Sequence, residues 1–136
     1  MKLQRAIFAT CVIFGVACSS SAPTEPIPPS ALNGQWTPNS PELPGLSYEF
    51  TLVLVDTHVT GSGLWSIPGQ SGTIAITGST TADVVSLDLI MGHDSPGTLP
   101  FLVEHFDGKL KSATTLSGTL TFAGGSDQQT YRRLAP

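Results

Sequence analysis

Residues 48–65 run YEFTLVLVDTHVTGSGLW, and their reading decides the fold. Tyr48, Phe50, Leu52 and Leu54 alternate with Glu49, Thr51, Val53 and Val55, and after Asp56, Thr57 and His58 the chain returns through Val59, Gly61, Gly63 and Trp65. Alternation of period two on both sides of a short polar turn predicts a β-hairpin.

The same unit recurs downstream. Ile74 and Ile76 share one face of a further strand; Val85, Leu87, Leu89 and Met91 alternate with Ser86 and Asp88; and Leu116, Gly118, Leu120 and Phe122 alternate with Ser117, Thr119 and Thr121. Strands are expected at 32–37, 48–56, 58–66, 73–78, 84–91, 101–110, 116–122 and 128–134. Pro38, Pro41 and Pro44 break the first connection, residues 68–70 make a turn, 79–82 a polar link, 92–100 a loop and 124–127 a hairpin turn. Charged residues make up only 12% of the chain and Gly is abundant, at 14, which suits short strands joined by tight turns.

Eight successive strands without helical periodicity predict an all-β fold, an antiparallel eight-stranded up-and-down barrel, with a β-sandwich as the alternative. Each strand has one apolar face, and closure buries that face while removing both sheet edges. Leu52, Leu54, Leu87, Leu89, Leu116, Leu120 and Phe122 are expected inside, with Ser117 and Thr119 outside. Gly34, Gly61, Gly63, Gly78 and Gly118 fall on the inward face, where a strand without Cβ can bend sharply. Closure requires the first and last strands to pair.

Glu104 depends on register. If Leu102, Phe106, Gly108 and Leu110 face inward, it enters the lumen; if Phe101, Val103 and His105 do, it points to water. A carboxylate alone in an apolar interior is costly, so an exposed or rim position is expected. His93-Asp94, with His58, His105 and Glu104 elsewhere, supplies metal-ligating residue types, but no two histidines stand at ligand spacing, and no metal or other cofactor is expected. Gly61-Ser62-Gly63 reads as strand, not as a nucleophile elbow, and Gly124-Gly125-Ser126-Asp127 lacks the following helix of a phosphate cradle. A non-enzymatic role is expected.

The N-terminus carries an export signal. Lys2 and Arg5 precede an apolar run of residues 6–17, too short to span a bilayer, which needs about 20 apolar residues. Gly15-Val16-Ala17-Cys18 resembles the lipobox of bacterial lipoproteins, with Gly15 standing where that family has a Leu-like residue. The resemblance implies a signal peptide at 1–17 and Cys18 as the lipidated first residue of the mature chain, carrying fatty acyl groups such as palmitate; an ordinary secretory signal cleaved nearby is the alternative. Cys11 leaves with the leader, so lipidation accounts for the remaining thiol. Residues 18–30 then form the anchor and a Pro/Ser-rich tether in which nothing is expected to pack, and 31–136 the barrel domain. Ser19 after the Cys resembles the outer-membrane sorting pattern of envelope lipoproteins.

Without the leader, Lys109, Lys111, Arg132 and Arg133 face ten acidic residues, a net charge of −6. That argues against nucleic acid as a partner. Gly34-Gln35-Trp36 is similar to the Gly-x-Trp start of lipocalins and to the first strand of avidin-type barrels. The resemblance implies a small apolar ligand in the barrel mouth and a basic side chain, Arg133 or Arg132, over Trp36; two solvated arginines are the alternative. The chain thus reads as an envelope lipoprotein whose barrel binds a small apolar ligand, or as one that binds or inhibits a protein partner. Replacing Cys18 by Ser should abolish fatty-acid labelling and release the protein from the membrane fraction; unchanged labelling would refute the anchor.

Overall fold

The computed structural model describes residues 25–41, 43–93 and 100–135. The leader, Cys18 and Asp94 lie outside the described residues. Eight strands follow a short 3-10 turn at Pro29–Leu32: β1 (Gly34–Pro38), β2 (Ser47–Val55), β3 (His58–Ile67), β4 (Gln70–Thr81), β5 (Val84–His93), β6 (Leu102–Ser112), β7 (Thr115–Phe122) and β8 (Gly125–Arg133). Each pairs antiparallel with the next, and β1 pairs with β8, so the sheet is a closed up-and-down barrel. The sandwich alternative is excluded.

The interior follows the alternation. Leu52, Leu87, Leu89, Leu116 and Leu120 are all at most 1% exposed, whereas Leu54 and Phe122, nearer the strand ends, are only partly buried. Ser117 and Thr119 face outward, the Ser117 hydroxyl meeting that of Thr130 at 2.8 Å. In mid-barrel Tyr131 stands edge-on to Phe50 and to Phe106, with ring centroids 5.2 Å apart in both pairs. These aromatic side chains fill the lumen rather than line it. Gly108 and Gly118 are paired across β6 and β7, and a Cβ on Gly118 would collide with the Gly108 Cα, so the wall turns its corner where both side chains are missing.

Three expectations need correction. β4 extends through Thr81 and β8 begins at Gly125, because the links beside them are two-residue turns. The polar run at 79–81 is strand, its inward member Thr80 satisfied by donating its hydroxyl to the Val84 carbonyl at 2.9 Å. Packing also begins earlier than residue 31. Ile27 rests on the core, and Ala31 and Leu32 are buried.

Glu104 is the third correction. It is 1% exposed and faces the lumen, level with Leu89 on β5 and Phe122 on β7. The register is decided by its strand-mates: Phe106 and Leu110 lie opposite Leu120 and Leu116, and a one-residue shift would put both in water. Burying two large apolar groups outweighs keeping one carboxylate wet.

The closing strand is the shortest, with three register pairs to each neighbour. Side chains complete what its backbone leaves open. Asn33 Oδ1 accepts from the Leu54 amide at 2.6 Å, Thr37 donates to the Tyr48 carbonyl at 3.1 Å, and Gln129 donates to the Ser40 carbonyl while accepting from the Thr130 amide, both at 2.9 Å. In chemical denaturation, Leu120→Ala should cost about 2–5 kcal/mol as a core truncation, and Thr119→Ala under about 1 kcal/mol. Equal losses would show that the register is misread.

Candidate functional site

The two ends of the barrel are built differently. At one end the 3-10 turn folds under the barrel, its Leu32 fully buried, and the Trp36 indole donates to the Leu32 carbonyl at 2.8 Å. The guanidinium of Arg133 lies over Gly34; a Cβ there would sit 2.8 Å from Nε. Gly34, at φ +135°, is therefore doubly required: by its backbone conformation and by the side chain across it. Trp36 is opposite Arg133 in the β1–β8 register, as terminal pairing demands, while Arg132 is exposed on the outer face. This end is plugged.

The other end carries the longer connections. Trp65 is buried there, its indole donating to the Gly92 carbonyl at 2.8 Å and stacked on Phe101, with centroids 4.3 Å apart and planes 10° from parallel. His93 stands edge-on to both rings, 5.5 Å from Trp65 and 5.8 Å from Phe101. His93, Phe101, Leu102 and Phe122 are partly exposed. Below them the lumen holds hydrogen-bonding side chains: Tyr48 and Tyr131, whose hydroxyls share a hydrogen bond of 3.2 Å, Gln129 and Glu104. Each of these four is engaged by further polar or ring interactions. Apolar walls holding a few placed polar groups are the make-up of small-molecule sites.

The outer face holds one cluster that sequence reasoning missed. His105 Nδ1 lies 2.6 Å from Asp88 Oδ1, Nε2 lies 3.1 Å from Asp107 Oδ2, and the Ser86 hydroxyl is 3.4 Å from Nε2. Ser86, His105 and Asp88 have the connectivity of a nucleophilic triad. The chemistry differs, because Asp107 also engages Nε2, the nitrogen that would have to accept the serine proton. A carboxylate on each side favours the protonated ring, which can donate from both nitrogens. The hydrogen bond with Asp88 does most to raise its pKa above 6.5; burial opposes this, and the charges of Asp107 and Asp88 add to it. The carboxylates face opposite ring nitrogens and do not converge on one point. Among the described residues no group of three or more His, Cys, Asp or Glu could hold a metal ion.

The other residues singled out in the sequence are dispersed. His58 begins β3 at the plugged end and His93 ends β5 at the other; Ser62 is mid-strand in β3, and Ser126 and Asp127 are in β8. The Asp88–His105 contact could have been found by aligning β5 and β6, which place these residues directly opposite each other.

No known protein-family profile matches the chain, and no curated protein does. Among solved structures it is similar to a redesigned β-barrel, mFAP1, bound to DFHBI, with 15% identity and a TM-score of 0.53 over 76% of this chain and 95% of that one. At that identity the likeness concerns the fold.

The cluster around His105 has a signed pH dependence. Its folded-state pKa lies above the unfolded value, so its contribution to stability is complete below 6.5 and fades as pH rises through the raised value. Comparing thermal unfolding of the native chain and His105→Gln, the gap should be widest in mildly acidic buffer and close as pH rises. It should be small, since the group is about half exposed and screened. A gap that widens with pH would contradict the ion-pair reading.

Proposed function

We propose that this is a lipid-anchored envelope protein, of binding rather than catalytic function, whose barrel takes a small apolar ligand at the end opposite the plug. The observation that carries the reading is the asymmetry of the two ends. One is sealed by Leu32, Trp36 and Arg133; the other exposes part of an aromatic set, Phe101, His93 and Phe122, above the buried groups of Tyr48, Tyr131, Gln129 and Glu104. The resemblance of Gly34-Gln35-Trp36 to lipocalins agrees with a ligand in the mouth, and the barrel of similar fold was solved with DFHBI bound. Asp107 beside His105 supports a non-catalytic role, since it competes for the only nitrogen that faces Ser86.

The outer face has charge and hydroxyls at mid-strand, including Asp88, His105 and Asp107, unlike the apolar band of a barrel that spans lipid. Membrane attachment in this reading comes through Cys18 alone. The chain enters the barrel at its plugged end, so a tether from Cys18 would leave the ligand end facing away from the bilayer.

One observation favours a protein partner instead: Ile90 and Val103 lie directly opposite each other on the outer face of β5 and β6, 43% and 54% exposed, while the mid-lumen is filled. Native mass spectrometry of the full chain extracted from its own membranes separates the two. A retained small molecule, lost in Phe101→Ala, supports the ligand reading, and the neutral dye N-phenylnaphthylamine should bind about tenfold more weakly to that variant, the worth of one aromatic contact. A retained polypeptide with no dye binding would overturn it.

A further inference from the structure

We infer that the outer face of β2, β3 and β4 carries a second binding site, for a neutral oligosaccharide. Ser47, Ser66 and Ser71 are aligned in register on three adjacent strands, all exposed. Neighbouring strands are about 4.8 Å apart, so the three serines follow one another across the sheet at about that backbone spacing. The next outward row is Glu49, Leu64 and Thr73, also in register. β1 stops at Pro38, and the surface beyond it drops into a groove of about 510 Å3 lined by these serines, Glu49, Leu64 and Thr37. A smaller hollow of about 190 Å3, lined by residues of β1, β2 and β3, shares Glu49 and Leu64 with the first.

The chemistry selects the ligand. Serine hydroxyls both donate and accept, and a carboxylate accepts from two adjacent donors at once, which together satisfy a ligand whose own groups are hydroxyls. Among the described residues no Lys or Arg lines either hollow, and Glu49 repels anions, so phosphorylated or sulfated ligands are disfavoured. Leu64, 63% exposed between Glu49 and Thr73 in the second row, offers apolar surface to the C–H face of a sugar ring. Two hollows meeting at Glu49 and Leu64 suit a chain of sugars better than one ring. A small apolar ligand, proposed above for the barrel mouth, would leave the serine row unused, so the two sites are independent.

The test is titration of the isotope-labelled full chain in detergent with cellotetraose and with chitotetraose, followed by NMR, with dextran sulfate as the anionic comparison. Either neutral tetrasaccharide should give saturable shifts at Glu49, Leu64 and Ser66 and none at Val103 or His105. Glu49→Gln should weaken binding about tenfold, the worth of one hydrogen bond to a charged group. Leu64→Arg should abolish it by filling the groove, with the melting temperature unchanged because residue 64 is on the surface. Shifts from neither neutral sugar, equal binding of dextran sulfate, or unaltered binding by Leu64→Arg would each overturn the inference. None of these outcomes depends on whether the mouth takes a ligand.

Discussion

The structure depends on one pairing, that of β1 with β8. An eight-stranded sheet with an apolar face cannot be left open in water, and three register pairs between Trp36–Pro38 and Tyr131–Arg133 close it. So brief a ladder is weak by itself. It holds because the chain on either side is tied by side chains: Asn33 to β2, Gln129 to the segment after β1, and the Trp36 indole to the plug beneath it. Arg133 adds a cover over Gly34, at the point where both termini of the barrel meet.

That closure also makes the two ends of the barrel unlike. Because β1 is short, its neighbours outrun it toward the end opposite the plug, and the connection after Pro38 crosses the gap. The same shortness leaves the groove on the outer face of β2 to β4.

Inside and outside then follow different chemistry. The interior holds Glu104, Tyr48, Tyr131 and Gln129 among leucines and phenylalanines, a costly arrangement that is sustained only because these groups are engaged. The exterior instead gathers Asp88 and Asp107 around His105, where water screens them and their contribution is modest. A triad-like connectivity there shows how little geometry alone establishes: a second carboxylate on the ring changes the chemistry from proton acceptance to ion pairing.

Much of this architecture is written in local alternation. The period-two pattern of residues 48–65 and its repeats dictated eight strands, the inward placement of Leu116 and Leu120, the outward placement of Ser117 and Thr119, and the pairing of the termini that an apolar face requires. Glu104 was ambiguous because an acid at an inward position contradicts its own strand's pattern, and only the apolar contacts of Phe106 and Leu110 across β7 resolve it. The packing of Ile27 and the extra length of β4 were hidden by proline-rich or polar composition, which reads as loop until a partner is in place, and Leu32, expected in the first strand, lies instead in the 3-10 turn that precedes it. Asp88 with His105, and Ser47 with Ser66 and Ser71, are far apart in the chain. They became neighbours only through strand register, a property of pairs of strands that no single stretch of sequence contains.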